Sequence, residues 1–416
     1  MATTVPGTVW MRAPRLLLAA ALLCAVNAAF WAPQLAIVIQ GLLSGDTLPA
    51  FANRDLANYW LSGRLALDGD LTPLARQETH QAALEAAFGL EAMETRNWSY
   101  PPHFLLITWP LGLMSYPLAY AAFLLATGGW FLWAVRGALQ HFGGTAGKGA
   151  FGLVAMLLLP FILLQALAGQ NGFFFGAAML QALVWRSTRP VAAGFMIALL
   201  TMKPQLGLLI PFLLLAERRW AVIGWTLVMS AGLTGISVLA FGPGAWRAFF
   251  EETLPYQRFV ASSWDGLFLY MMPTWFASLR AVGVPHELAL ALHGAIVLPL
   301  IALCLAGFWK ASDEAARSRL LLAGTFVLTP YAFNYDLGAL LAVAAIWFVS
   351  RREQGWSSAL GGAFVLALPL WTPLIGRPDV LLLLPPLVLS SLLLVWALPA
   401  TEPLWRPLAM RAGLVR

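Results

Sequence analysis

The chain has 416 residues, 60% of them hydrophobic and only 11% charged, with a formal net charge of +6 and a mean hydropathy of +0.76. Soluble domains run about 25% charged, so these figures exclude an ordinary soluble enzyme, a disordered chain and a disulfide-stapled module. The basic residues sit singly or in pairs between apolar runs, as topology signals do, and form no patch for nucleic acid.

The expected architecture is all-α: a polytopic membrane protein forming one integral domain over residues 1–416. A spanning helix needs about 20 apolar residues. Residues 16–45 carry no Asp, Glu, Lys or Arg and follow Arg12 and Arg15. That run exceeds the roughly 7 to 15 residues of a cleaved signal core, which predicts an uncleaved first span entering from the cytoplasm. Residues 44–100 then form an outer loop, with Asp46, Asp55, Asp68, Asp70, Glu78, Glu85, Glu91 and Glu94 set against Arg54, Arg64, Arg76 and Arg96. Apolar residues recur at helical spacing over 56–67 and again over 75–93, predicting two amphipathic helices on the outer surface.

Further apolar stretches cover residues 97–135, 149–185, 220–246, 288–309, 354–376 and 380–401. Residues 100–135 read either as a re-entrant segment plus one span or as two crossings joined at Ser115-Tyr116-Pro117, and the second choice would make 190–216 a single span kinked at Lys203-Pro204. Residues 242–286, rich in Trp, Phe and Tyr, form a second outer loop suited to an interfacial helix or lid. Two regions share one pattern. Residues 190–216 lie between Arg186 with Arg189 and Arg218 with Arg219, and carry Lys203-Pro204 at the centre. Residues 320–350 lie between Arg317 with Arg319 and Arg351 with Arg352, and carry 330–336 at the centre. Positive pairs mark the cytoplasmic side, so each region is expected to enter and return as a hairpin. An arm of such a hairpin rises only about 20 Å at about 1.5 Å per residue. A tip at that depth is tolerable only where it lines a cavity.

Charged groups at membrane depth cost a few kcal/mol and are functional candidates by default. Asp336, in Pro330-Tyr331-Ala332-Phe333-Asn334-Tyr335-Asp336, either caps the next helix or serves a site. Lys203 either satisfies carbonyls freed by Pro204 or neutralises an anionic headgroup through a charge-assisted bond. Gly169-Gln170-Asn171-Gly172 is either a tight turn or a pair of amides able to read sugar hydroxyls. Tyr100-Pro101-Pro102-His103 marks a segment boundary. Asp55 is either a helix cap or, if it faces a cavity with Lys203 and Asp336, a general base for an incoming hydroxyl. Cys24 and Cys304 lie in apolar runs and read as small hydrophobes. The five histidines lack ligand spacing, and no Walker loop, dinucleotide fingerprint, HExxH or CxxC pair is present.

These residues resemble, in order, the motifs of polyprenyl-phosphate-sugar-dependent glycosyltransferases of superfamily C, and within them the family 87 mannosyltransferase type. Asp55 with Asn58-Tyr59 resembles the early aspartate motif, and Tyr100-Pro101-Pro102 with Pro110-Leu111 resembles the YPP segment. Gly169-Gln170-Asn171 resembles the GQ turn. Lys203-Pro204-Gln205 and 330–336 resemble the two later motifs. Two departures stand out: Tyr331 occupies a position where many relatives carry histidine, and Gly69-Asp70-Leu71-Thr72-Pro73 replaces the usual end of the first motif.

The resemblance implies a multi-pass helix bundle in the bacterial cytoplasmic membrane with its active site facing the periplasm. It implies transfer of a hexose, mannose in that family type, from a polyprenyl-phosphate sugar to a glycolipid or glycan hydroxyl with inversion. Asp55 would be the base, and Lys203, Arg258 and Arg280 would meet the donor phosphate. Asn58, Tyr59, Tyr100, His103, Gln170, Asn171, Gln205, Tyr331, Asn334 and Asp336 would contact substrate. No cofactor is expected; a divalent metal is compatible with such a site but not required. The competing reading is a lipid or lipid-linked-sugar flippase, which would also use broken helices and buried charges.

Overall fold

A computed structural model describes residues 14–44, 49–144, 150–350, 362–369 and 383–411, and among these every regular element is a helix. The first part comprises α1 (Pro14–Ser44), α2 (Leu56–Asp68), α3 (Gln77–Phe88), α4 (Tyr116–Phe142), α5 (Phe151–Leu157), α6 (Leu159–Ala168) and α7 (Gly172–Trp185). The second comprises α8 (Pro190–Leu200), α9 (Ile210–Ala216), α10 (Trp220–Ala248), α11 (Leu254–Ser263), α12 (Trp275–Ala281) and α13 (His286–Lys310). It ends with α14 (Glu314–Leu328), α15 (Gly338–Ser350), α16 (residues 362–369) and α17 (Leu384–Arg411). Tyr116–Phe142, Trp220–Ser263, His286–Lys310 and Leu384–Arg406 are each long and apolar enough to cross a membrane. The span expected at 354–376 falls largely outside the described residues.

Three hairpins organise the bundle, all with their feet at one end. The return path of residues 190–216 is fixed by a two-pronged ion pair from Arg186, before α8, to Glu217, after α9, at 2.8 and 3.1 Å. Both side chains are almost fully enclosed, and Arg317 adds a third charge 3.8 Å from Glu217. Arg219 reaches Glu314 over 2.6 Å and His141 reaches the same carboxylate over 3.4 Å, which ties in the start of α14 and the end of α4. Ser350 donates to Gly143 O, closing the foot of α15. Burying charge without a partner is expensive, and here each charge is matched by a neighbour from another arm.

The third hairpin lies within residues 149–185, one uninterrupted apolar stretch in the sequence. It rises as α5 and α6, bent by 55° at Leu158 where Pro160 removes a backbone donor. Gly169, at φ +68°, then turns the chain into the descending α7. A residue with a Cβ is strained at that φ.

The three tips meet. Gln165 donates to Tyr335 O over 2.7 Å and accepts from Gly172 N over 3.0 Å, stitching the first tip to the third. The approach is so close that a Cβ on Gly172 would overlap the Tyr335 carbonyl.

At the opposite end from the feet, α2 is nearly enclosed rather than lying on the surface: Leu56, Ala57, Tyr59, Trp60 and Leu61 are all buried. Trp60 donates its indole N–H to Met114 O and Ser62 bonds Thr108. Residues 102–113 form only short turns of helix beneath α2, so 100–135 is a re-entrant segment followed by the single span α4. On the other flank α10 breaks at Gly242 (φ 78°, ψ 157°), just before Pro243, and leads into the layer formed by α11 and α12.

Candidate active site

The tips, the outer helices and the α11 layer enclose a cavity of about 1790 Å³. Arg54, Arg96, Lys203 and Arg258 line it, against the carboxylates Asp55 and Glu94, so its walls carry a net positive charge. Its far wall is apolar, with Ala231, Gly235, Trp264, Leu267, Phe268 and Leu290.

Asp55 occupies the N-cap position of α2, yet its side chain makes no capping bond. Its backbone N–H is held by Ala168 O at 2.9 Å, which pins α2 to the first tip. The carboxylate turns away from its own helix: Oδ1 accepts from Arg96 Nη1 at 3.0 Å and Oδ2 from Gln170 Nε2 at 2.8 Å. The side chain remains 28% exposed, facing the cavity. Helix capping therefore does not account for it.

Lys203 sits at the second tip, where its ammonium reaches Asp336 Oδ1 at 2.6 Å and Asn171 Oδ1 at 3.4 Å, and lies 4.9 Å from the Tyr335 ring centroid. Asp336 is buried within a short 3-10 turn, and its carboxylate serves the lysine from the third tip. Carbonyls freed by Pro204 are thus not the partner of Lys203.

Between these two charged centres lie most of the polar residues singled out in the sequence. The Tyr59 hydroxyl donates to Gln170 Oε1 at 2.7 Å and stands 3.0 Å from the Tyr100 hydroxyl, to which Asn171 Nδ2 donates at 2.7 Å. Aromatic packing supports the phenols: Tyr100 stacks on Phe104 at 4.3 Å, and Tyr59 meets the same ring edge-on. His103 lines the cavity with Nε2 3.0 Å from Thr201 Oγ1 and its ring stacked on Trp246. Thr201 gives its own proton to Ala198 O, so His103 is the donor to the threonine.

Gln205, Tyr331 and Asn334 also line the cavity. Tyr331 leans on Phe276, and Asn334 Nδ2 donates to Pro369 O. Asn58 lines the cavity too, but its Oδ1 is engaged by His80 Nε2 at 2.8 Å. Arg258 faces the cavity from α11, and among the described residues no carboxylate or carbonyl holds its guanidinium. Arg280 does not line the cavity. Its guanidinium binds Asp265 and the carbonyls of Ala261 and Ser262, so it braces the α11 layer instead. The expectation that Arg280 meets a donor phosphate is corrected on that ground: its charge is already used by the protein.

The residue that sequence reading missed is Arg96. It stands in an extended segment just before Tyr100, is 8% exposed, and pairs with Asp55 and Glu94. Nothing local distinguishes it from the other arginines of that loop. Its partner lies 41 residues away.

The molecule is an all-helical bundle with helices long and apolar enough to cross a membrane and a cavity lined by more basic than acidic side chains. The sequence model of glycosyltransferase family 87 matches residues 98–330, more than half of the chain. The chain belongs to that family. No curated protein and no solved structure matches it.

Proposed function

We propose that this glycosyltransferase moves a hexose, mannose by family type, from a polyprenyl-phosphate sugar to a hydroxyl of a glycolipid or glycan acceptor. The reaction takes place on the periplasmic side of a bacterial cytoplasmic membrane, where the donor arrives from the surrounding lipid. The observation that carries the reading is the placement of Asp55. A carboxylate facing the cavity, not capping its helix, sits across a polar floor from Lys203 and Arg258.

In this scheme Asp55 accepts the proton of the acceptor hydroxyl as that oxygen attacks the anomeric carbon. The bond from the anomeric carbon to the phosphate oxygen breaks on the opposite face, with inversion. The electron pair leaves with the polyprenyl phosphate, whose growing negative charge Lys203 and Arg258 stabilise in a medium poor in water. The apolar far wall accommodates the prenyl chain. A single carboxylate suffices as the base, and no divalent ion is required by these steps.

The test uses purified full-length protein in lipid nanodiscs, polyprenyl-phosphate mannose as donor and a membrane glycolipid fraction as acceptor. Asp55→Asn is expected to lower the release of polyprenyl phosphate by about 10²- to 10⁴-fold, the usual worth of a general base, while donor binding persists. Undiminished release would remove Asp55 from that role.

A further inference from the structure

Asp55 and Lys203 are not in contact, yet one file of hydrogen bonds connects them: Lys203, Asn171, Tyr100, Tyr59, Gln170, Asp55. The file has a direction, fixed by the charges at its ends. Were Gln170 turned over, its carbonyl oxygen would face the Asp55 carboxylate. Were Asn171 turned over, its NH2 group would face the Lys203 ammonium. Both reversals set like charges or dipoles together in a buried setting, where an unmade bond costs most. With the amides so oriented, Gln170 Oε1 must receive the Tyr59 proton, and the Tyr100 oxygen must receive a proton from Asn171. Tyr100 is left to donate to Tyr59. Every donor in the file therefore points from the lysine to the carboxylate.

We propose that Tyr59 and Tyr100 are positioning residues that couple the charge at Lys203 to the basicity and orientation of Asp55. This rests on the reading of Asp55 as the base. Hydrogen bonds in a file polarise one another, and a donor strengthened by a distant ammonium favours the ionised form of the acid it serves. The file fixes the rotation of the Asp55 carboxylate. It also makes the base sensitive to what Lys203 is doing. When an anionic headgroup draws the ammonium away from Asn171, polarisation along the file falls and Asp55 becomes a stronger base at the moment a donor is present.

Tyr59→Phe and Tyr100→Phe each interrupt the file without emptying the space of the ring. Release of polyprenyl phosphate from polyprenyl-phosphate mannose, with a membrane glycolipid fraction as acceptor, is followed against pH for both variants. The expected result is a fall in kcat of about 10- to 100-fold, the scale of a small misplacement in an active site. Donor KM should be little changed, and the acidic limb of kcat/KM should move to higher pH. Tyr116→Phe is the control. Tyr116 is a buried phenol whose hydroxyl donates to Phe51 O, outside the file. It should leave the limb where it is. A phenol needed only for folding would lower the amount of active protein and leave the limb unmoved, so an unmoved limb in both file variants overturns the proposal. Asp55→Asn in the same assay separates the two levels. Retained turnover there would remove the base itself and the coupling with it. Lost turnover there, with unmoved limbs in Tyr59→Phe and Tyr100→Phe, overturns the coupling alone.

Discussion

Lys203 Nζ lies 2.6 Å from Asp336 Oδ1, although 133 residues separate the two in the chain. The pair joins the second hairpin tip to the third at the floor of the cavity. Breaking such an enclosed pair from one side leaves a charge without a partner and costs about 3 to 5 kcal/mol. Lys203→Met and Asp336→Leu should therefore each lower thermal stability sharply. The double variant should recover much of the loss, because two apolar residues of similar volume leave nothing unpaired. Turnover should stay low in Lys203→Met and in the double variant, which both lack the lysine proposed to meet the donor. Thermal midpoints measured in nanodiscs beside turnover check both statements.

Arg258 and Arg280 lie on neighbouring elements of one layer, but only Arg258 has its charge available to a ligand. A hydrogen bond to a charged group is worth about 1.5 to 3 kcal/mol. Arg258→Gln should accordingly reduce kcat/KM for polyprenyl-phosphate mannose by about 10- to 100-fold with little change in thermal midpoint. Arg280→Gln should act the other way, lowering the midpoint by releasing Asp265 and the Ala261 and Ser262 carbonyls. Steady-state kinetics and thermal scans on the two variants give a direct contrast.

His80 makes the outer layer sensitive to acid. Burial, and then the charge of Arg96, push its pKa down to about 4 from the ordinary 6.5, so the folded protein holds it neutral, with Nε2 on Asn58 Oδ1. In the unfolded chain the ring takes up a proton first as pH falls. The stability it contributes is therefore complete above about pH 6.5 and declines towards pH 4, by up to about 1.4 kcal/mol per unit. His80→Gln should flatten that decline, as read from thermal midpoints across pH 4 to 7.

Gly172 stands where the first tip meets the third. A methyl group there overlaps the Tyr335 carbonyl and the Gln165 side chain, and neither the backbone nor a doubly bonded amide can yield cheaply. Gly172→Ala should abolish most folded protein recovered on size exclusion. Gly129→Ala, in α4 with open space where the Cβ would go, should be recovered at normal yield.

Much of this arrangement was legible in the chain, and the rest was hidden for identifiable reasons. Arginine pairs bracket 190–216 and 320–350, so both hairpins could be read from charge alone. The hairpin within 149–185 carries only Gly169-Gln170-Asn171 at its tip. Its glycines and amides marked a turn candidate, but without flanking charges nothing in the sequence showed that the chain reverses there. Lys203 and Asp336 stood out because charged groups are rare among apolar neighbours, whereas Asp55 is one of eight acids in its loop and was singled out by the family resemblance. Their partners did not. Arg96 and Gln165 act across 41 and 170 residues respectively, and no local pattern encodes a contact of that range. Arg280 misled for the same reason: its charge is visible in the sequence, while its engagement with Asp265 and two carbonyls exists only in the folded layer.

The most direct measurement is a structure of the protein in nanodiscs with a non-transferable polyprenyl-phosphate mannose analogue. The account predicts the phosphate within hydrogen-bonding distance of Lys203 and Arg258, and the anomeric carbon turned towards Asp55 with room for one hydroxyl between them. A headgroup bound outside the cavity, or an anomeric carbon shielded from Asp55 by its own sugar ring, would contradict it.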